Sequence, residues 1–192
     1  MTALTLNLQP TLEVNDQEFE QICQANRDLR LERSLKGELI IMAPTGGETG
    51  ERNSSLNGQL WLWNFQAKLG VVFDSSTGFK LPSGAIRSPD VAWLRTERWQ
   101  ALSAEQKREY IPLCPDFIIE LRSATDDLRD IQAKMREYME NGLRLGWLIN
   151  PEARTVEIYR QDQAIQMLQS PRNLSGEEVL VGFSLNLEGI IT

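Results

Sequence analysis

The sequence predicts a mixed α/β domain in which helices cover the faces of a β-sheet. Two patterns carry this prediction. Short runs of alternating or continuous apolar residues are typical of strands, as in Phe117–Leu121. Longer segments with apolar residues three or four positions apart are typical of helices, as in 128–139. The two kinds of segment alternate along the chain, and 192 residues suit one domain covering positions 1–192.

The first half of the chain opens with leucines at alternating positions in residues 1–14. This segment is either a frayed terminus, which we favour slightly, or a strand-like arm that reaches onto a partner subunit. After it, Asn15 is a typical helix N-cap residue. In order, we expect a helix over 15–26, strands over 29–33 and 37–42, a helix from the Gly-rich segment 44–50 to residue 69, and strands over 71–74, 78–81 and 88–94.

The second half begins with a broken helical connection over 96–106 and a strand over 116–122. Ser123 or Thr125 is the expected cap of the next helix, and Gly142 is the expected residue after its end. The remaining elements are a buried strand over 146–149, a hairpin over 155–159 and 164–168, and a packed apolar tail over 179–187.

Composition indicates a soluble protein. Hydrophobic residues make up 41% of the chain and charged residues 24%, as in ordinary globular domains. The N-terminus shows no signal-peptide pattern, and no apolar run approaches the roughly 20 residues that cross a bilayer. We therefore expect a cytoplasmic protein without membrane contact. Cys23 and Cys114 are too few for a disulfide framework and should be reduced.

The chain contains no histidine. This excludes Ser–His–Asp and Cys–His catalysis as well as HExxH metalloprotease sites. Chemistry must rest on Asp, Glu, Lys, Arg, Tyr or Ser, and oxygen ligands favour a hard ion such as Mg²⁺ or Mn²⁺. The net charge of −7 opposes non-specific attraction to nucleic acid but leaves room for a local basic groove.

Two carboxylates occupy positions where a strand would usually bury an aliphatic side chain. Glu120 lies within the strand over 116–122, and Asp90 lies within the strand over 88–94. A buried carboxylate is costly unless a cation or hydrogen-bond donors compensate it. If the two strands pair, Asp90 and Glu120 converge and repel each other. A divalent metal ion would resolve that conflict and could activate a water molecule.

Lys134 borders the apolar face of the helix that follows Glu120. From there its ammonium group could reach the carboxylates, orient a water molecule and balance charge in a transition state. The alternative is an ordinary surface pair with Asp130, four residues earlier. We favour the surface pair slightly when Lys134 is considered alone.

These motifs resemble a known family. A Pro–Asp on one strand, a Glu on the next and a nearby Lys resemble the PD-(D/E)XK nuclease site. The combination is similar to the Uma-two family of restriction-endonuclease-like proteins, and it covers about residues 35–185. The segments that carry the resemblance are 44–50, 88–91, 115–123, 134–138, 141–142 and 146–151.

The resemblance implies a restriction-endonuclease-like fold and metal-dependent hydrolysis of nucleic acid. It implies Asp90 and Glu120 as metal ligands, joined by the main-chain carbonyl of Leu121. It also implies Glu48 as an acid on the preceding helix; the alternative interpretation of Glu48 is compensation of the helix dipole. Lys134 would be a displaced catalytic lysine.

Arg122 departs from the general nuclease pattern, which has lysine at that position. A guanidinium cannot act as a base, and it suits gripping a substrate phosphate or pairing with a carboxylate. Two functions therefore remain open: a Mg²⁺- or Mn²⁺-dependent endonuclease that acts on DNA, or a non-catalytic module of the same fold that serves binding or assembly. The apolar arm and hairpin also predict a homodimer or higher homo-oligomer.

Overall fold

The computed structural model describes residues 4–9 and 11–191. Its helices and strands, in chain order, are β1 (Leu4–Leu6), α1 (Asp16–Ala25), β2 (Arg30–Arg33), β3 (Leu39–Met42), α2 (Gly47–Ala67), β4 (Gly70–Asp74), β5 (Phe79–Lys80), β6 (Ile86–Arg87), β7 (Val91–Arg95), α3 (Thr96–Gln100), β8 (Phe117–Leu121), α4 (Leu128–Glu140), β9 (Leu145–Asn150), β10 (Thr155–Arg160), β11 (Gln166–Gln169), β12 (Asn173–Ser175) and β13 (Ser184–Asn186).

A six-stranded sheet in the order β11-β10-β9-β8-β7-β4 forms the centre of the molecule. β8 and β9 are parallel, whereas its other neighbouring strands are antiparallel. Parallel neighbours need a crossover, and α4 supplies it between β8 and β9. This confirms the mixed sheet flanked by helices.

Alternate residues of the central strands point to opposite faces of the sheet. One face, with Phe117 and Ile119, packs against α2 through Leu56 and Leu60 and against the C-terminal segment. The other face, with Ile118, packs against α4. The buried residues of the C-terminal segment, which confirm the expected packed tail, are Val179, Leu180, Phe183, Leu185 and Leu187.

A second sheet, in the order β1-β3-β2-β6-β5, packs with α1. Asn15 caps α1 in a capping box with Glu18, as the sequence predicted. The expected hairpin of β2 and β3 is present. The strand expected over 78–81 is the short β5, which pairs with β6 in this second sheet rather than with the central sheet. The second sheet delivers Glu32 and Arg87 toward the central one.

Three expectations need correction. The N-terminal segment is not frayed at Leu4–Leu6, because these residues pair as β1 with β3 of the same chain; residues 1–3 and 10 of the expected arm lie outside the described residues. The cap of α4 is Asp127, which accepts a hydrogen bond from the Arg129 backbone, rather than Ser123 or Thr125. Gly142 does follow α4, with φ of +94°.

The third correction concerns Asp90, which lies immediately before β7 rather than inside it. The described residues include no helix that is long and apolar enough to cross a membrane. Both cysteines are free, as expected, with Cys114 buried and Cys23 half-buried.

Candidate active site

Asp90 and Glu120 meet where β7 and β8 pair. Val91 lies opposite Ile119 in this antiparallel pair, so one further step of the register places Asp90 opposite Glu120. The backbone N–H of Leu121 donates to Asp90 Oδ2 at 2.8 Å. The strand pairing on which the expected convergence depends is therefore present, and Asp90 is near enough for its charge to raise the pKa of Glu120.

Asn53 of α2 is the second partner of Asp90. Its Nδ2 donates to Asp90 Oδ1 at 3.2 Å, whereas its own Oδ1 is buried and has no hydrogen-bond partner among the described residues. Burial raises the pKa of Asp90, and the Leu121 amide and Lys134 only partly offset that rise. The Asn53 amide oxygen, which has no hydrogen-bond partner among the described residues, thus lies beside the Asp90 carboxylate. Hydrogen bonds and nearby positive charge offset only part of the cost of burying that carboxylate.

Glu120 is buried on the face of the sheet that α4 covers. Lys134 Nζ lies 2.8 Å from Glu120 Oε1, and the hydroxyl of Tyr138 donates to the same oxygen at 3.3 Å. Burial raises the pKa of Glu120 to about 7 against the attraction of Lys134, and the Asp90 carboxylate adds to the rise. Burial therefore disfavours the ionised form of both carboxylates, and added positive charge would favour it.

Lys134 also pairs with Glu32 of β2, whose Oε1 lies 2.9 Å from its Nζ. The side chain of Lys134 is only 13% exposed, so it is not the surface partner of Asp130 that the sequence slightly favoured. Burial alone would lower the pKa of Lys134, but Glu120 and Glu32 raise it above its ordinary value. Lys134 is consequently a fixed ammonium ion and cannot serve as a base.

Glu32 is held ionised by a second cation. Burial would raise its pKa, but Lys134, Arg87 and the backbone N–H of Ser88 lower it. Arg87 lies 3.1 Å from Glu32 Oε2 and also pairs with Glu137 at 2.5 Å. These ion pairs tie the two sheets and α4 into one network, which fixes the position of the Lys134 ammonium.

Arg122 and Glu48 lie apart from these contacts. Arg122 pairs with Glu152 at 2.7 Å and also donates to Asn150 and to the Asp126 carbonyl. Glu48, in the first turn of α2, is 88% exposed, and the described residue it approaches is Arg52, at 3.9 Å. The substrate role of Arg122 and the acid role of Glu48 stay predictions, without a described contact to Asp90 or Glu120.

The donors around Asp90 fit a hard divalent ion. Two carboxylates with raised pKa values lie close enough for the charge of Asp90 to act on Glu120, and the buried Asn53 Oδ1 is a further oxygen that has no partner among the described residues. Within residues 4–9 and 11–191, no three His, Cys, Asp or Glu side chains are grouped to hold a metal. A site here would complete its shell with amide, main-chain, water or phosphate oxygens, as Mg²⁺ sites commonly do.

Sequence reasoning missed four contributors: Asn53, Glu32, Arg87 and Tyr138. Asn53 lies on a helix whose polar face resembles any solvated face. Glu32 lies in an alternating strand, where a charged residue usually points to water. One signal for Glu32 was available in the sequence. Arg87 directly precedes Ser88–Asp90, so burial of that segment would require an acidic partner for the Arg87 guanidinium.

Comparisons with known proteins bear on this arrangement. The profile of the Uma2 (Uma-two) family, described as putative restriction endonuclease, matches residues 16–188. The chain belongs to the Uma2 family. A crystal structure described as a putative nuclease belonging to DUF820 from Anabaena variabilis ATCC 29413 is similar to the chain, with a TM-score of 0.71 and 17% identity over 84% of this chain and 89% of that one. No match was found among curated proteins.

The two matches carry different information. The Uma2 profile supports nuclease-like function at the level of the family and confirms the resemblance inferred from the motifs. The similar crystal structure, at 17% identity, confirms the fold alone. Assignment of individual residues in this Uma2 protein rests on the geometry around Asp90 and Glu120.

Proposed function

We propose that this Uma2 protein is a Mg²⁺- or Mn²⁺-dependent endonuclease of the PD-(D/E)XK type that hydrolyses phosphodiester bonds of DNA. One observation carries the proposal: Asp90 directly precedes the strand that pairs with β8, close enough to Glu120 for its charge to raise the Glu120 pKa, and the Lys134 ammonium lies 2.8 Å from Glu120. Two acidic oxygens and a fixed cation are what a phosphoryl-transfer site needs.

Asp90 and Glu120 would hold the metal, with the Leu121 carbonyl and Asn53 Oδ1 as further oxygens. The ion would supply a water of lowered pKa and neutralise charge on the phosphoryl group. In the reaction, a bond would form between the water oxygen and phosphorus while the bond from phosphorus to the leaving sugar oxygen breaks; the water would lose a proton to solvent and the leaving oxygen would take one from solvent, since Lys134 stays protonated.

Lys134 would stabilise the charge that develops on the phosphoryl oxygens. An ammonium group has three N–H donors, and two of them point at Glu120 and Glu32. The third remains for a phosphate oxygen or the attacking water. Because Glu32 and Glu120 fix the ammonium before substrate arrives, it would act without reorganisation, the condition under which such stabilisation is strongest.

The test is single-turnover cleavage of plasmid and oligonucleotide DNA with Mg²⁺, Mn²⁺ or EDTA. We expect cleavage with either metal and none with EDTA. Lys134→Met should lower the chemical step about 10²-fold or more. Lys36→Met, which removes an exposed lysine far along the chain, is the matched control and should cleave like the parent.

Metal binding is tested separately by calorimetry with Mn²⁺. We expect a site that disappears in Asp90→Ala and in Glu120→Ala. If both variants gave the isotherm of the parent, the metal assignment would be wrong.

The competing function is a non-catalytic binding or assembly module. It is favoured by the pairing of Arg122 with Glu152 rather than with a group near Glu120. A module of that kind has no reason to bind Mn²⁺ at Asp90 and Glu120. Metal binding at those residues together with cleavage would exclude it; absence of both would support it.

We also propose a homodimer or higher homo-oligomer. Several apolar side chains are exposed at β1 and at the β10–β11 hairpin: Leu4, Leu6, Ile165 and Met167. Exposed apolar side chains on edge strands are a common feature of subunit interfaces. Light scattering at micromolar concentration should give a multiple of 21.9 kDa; the monomer mass would contradict the proposal.

A further inference from the structure

A cleft of about 460 Å³ opens beside Asp90, between α2 and the turn after β4. Its α2 residues recur three or four positions apart and so lie on one face of the helix. The α2 residues of the lining include Asn53, Ser54, Asn57, Gly58 and Trp61, and Asp74 and Asp90 face them. The cleft is therefore continuous with the candidate active site.

The lining is polar but carries no positive charge. None of the described residues that line the cleft is Lys or Arg, and its two charged groups are the carboxylates of Asp74 and Asp90. Hydrogen bonds from Ser76 lower the pKa of Asp74 and keep it ionised. A phosphate would find no cationic partner among these residues. The Nδ2 of Asn57 is used by the Phe73 carbonyl, but its Oδ1 offers an acceptor, and the Ser54 hydroxyl in the same lining can donate or accept, as base edges require.

Trp61 forms one wall of the cleft. Its ring is 53% exposed and stacks on Phe65, with centroids 5.1 Å apart and an interplanar angle of 18°. Phe65 is itself 61% exposed. Aromatic side chains held in this way beside a nucleic-acid path stack on bases of any sequence, because every base has a π-face.

Gly58 keeps the cleft open. A Cβ at this position would meet nothing within 4 Å, so packing within the chain does not require glycine. Glycine is also a poor residue for a helix interior. A glycine that the fold does not need, in the wall of a polar cleft, is consistent with close approach of a ligand.

We infer that this cleft binds an unpaired nucleobase next to the phosphate at Asp90, which makes single-stranded DNA the preferred substrate class. The inference rests on the proposed function, since Asp90 locates the phosphate. Trp61 stacks on the base, and Ser54 and Asn57 contact its edge. A base inside a duplex is covered on both faces and has its pairing edge occupied, so it must first leave the stack.

The experiment measures fluorescence anisotropy of a labelled single-stranded DNA oligonucleotide and of a hairpin duplex of the same length, in EDTA so that metal-dependent cleavage cannot proceed. We expect the single strand to bind more tightly than the duplex. Trp61→Ala should weaken its binding roughly tenfold or more, whereas Trp61→Phe, which keeps a stacking ring, should stay close to the parent.

Two further variants separate the cleft from its surroundings. Gly58→Leu should fill the cleft and weaken binding without lowering the melting temperature, because the added side chain meets open space. Leu62→Ala removes an equally exposed apolar neighbour that does not line the cleft and should bind like the parent. Because no lysine or arginine lines the cleft, the part of the affinity that depends on Trp61 should change little with salt.

Equal binding of single strand and duplex, or unchanged binding in Trp61→Ala and Gly58→Leu, would overturn the inference. It would also be overturned if Trp61→Ala changed only the molar mass, because the ring would then serve self-association. Failure of the proposed function is distinct from these outcomes. If DNA binding depended on Trp61 but no metal-dependent cleavage occurred, the nuclease proposal would be wrong and the base-binding cleft would stand. If cleavage occurred and was unaffected by Trp61→Ala and Gly58→Leu, the nuclease proposal would stand and the base-binding cleft would be wrong.

Discussion

The two sides of the central sheet treat charge in opposite ways. Beneath α4, the charged groups of Lys134, Glu32 and Arg87 are buried and paired with one another across two sheets. Along α2, the cleft beside Asp90 is open and lined mainly by amides, hydroxyls and an aromatic ring. Asp90 and Glu120 lie between the two. The Lys134 ammonium lies on the side beneath α4, where burial and ion pairs hold it in place. On the other side, the described residues that line the cleft include no lysine or arginine.

The largest loss of stability is expected for Lys134→Met, which removes the cation at the centre of the buried ion pairs beneath α4. The variant leaves Glu120 and Glu32 buried with one cation fewer, and removal of one partner from a buried pair costs about 3–5 kcal/mol. Domains are stable by roughly 5–15 kcal/mol, so the variant should still fold. Urea unfolding at pH 7 measures the loss of free energy. A loss below about 1 kcal/mol, as for an exposed pair, would show that Lys134 is not part of a buried ion-pair network.

Glu32→Gln tests the same network through pH. Glutamine keeps the shape but loses charge-assisted hydrogen bonds, which are worth about 1.5–3 kcal/mol to a charged group. Because the pKa of Glu32 is lowered in the folded state, its stabilisation is present above its ordinary pKa of 4.5 and is lost as pH falls through the folded-state pKa.

The stability difference between the parent and Glu32→Gln should therefore be largest near neutral pH and should shrink in acid. Glu38→Gln is the matched control, because Glu38 belongs to the neighbouring turn and, among the described residues, its carboxylate accepts a hydrogen bond from the Ser34 hydroxyl and has no part in the Lys134 network. If the stability difference between the parent and Glu32→Gln grew as pH fell, the pKa of Glu32 would be raised rather than lowered by folding, which contradicts its pairing with Lys134 and Arg87.

Two glycines sharpen the contrast between packed and open surroundings. A Cβ on Gly70 would lie 2.3 Å from the Leu94 carbonyl oxygen and 2.4 Å from the Trp93 ring, so Gly70→Ala should cost about 1–3 kcal/mol through overpacking. Gly58→Ala meets open space and should stabilise α2 by about 0.5–1 kcal/mol. Thermal unfolding of both variants checks the opposite signs; a destabilised Gly58→Ala would mean that the cleft is not open.

The sequence predicted the central sheet better than the second sheet. Helix α4 is long and strongly periodic, and β8 is a short apolar run bounded by polar residues, so local pattern decides both. Strands β5 and β6 have two residues each, and nothing local tells which sheet they join. The pairing of β1 with β3 of its own chain was missed because alternating leucines do not specify a partner strand.

The candidate site divides in the same way. Asp90 and Glu120 were found because a carboxylate in an apolar strand is visible in one sequence segment. The partnership of Lys134 with Glu32 joins residues 102 positions apart, and no local pattern reports such a contact. Asn53 was missed for a related reason, since an asparagine on a polar helix face becomes distinctive only when Asp90 is placed against it.

The smallest expected effect belongs to Arg122, which lies outside both regions. Its ion pair with Glu152 is 2.7 Å long, but the Glu152 side chain is 54% exposed, and partly exposed pairs contribute at most about 1 kcal/mol. Arg122→Met should therefore lower the free energy of unfolding by less than that and leave the cleavage step far less affected than Lys134→Met does. Substrate binding should weaken modestly if the guanidinium leaves Glu152 to bind a phosphate.

Glu152→Gln is the informative control, because it frees the guanidinium and should leave binding unchanged or tighten it. Single-turnover rates and half-saturating DNA concentrations of the two variants give the comparison. An Arg122→Met rate as low as that of Lys134→Met would place the catalytic cation at Arg122 instead.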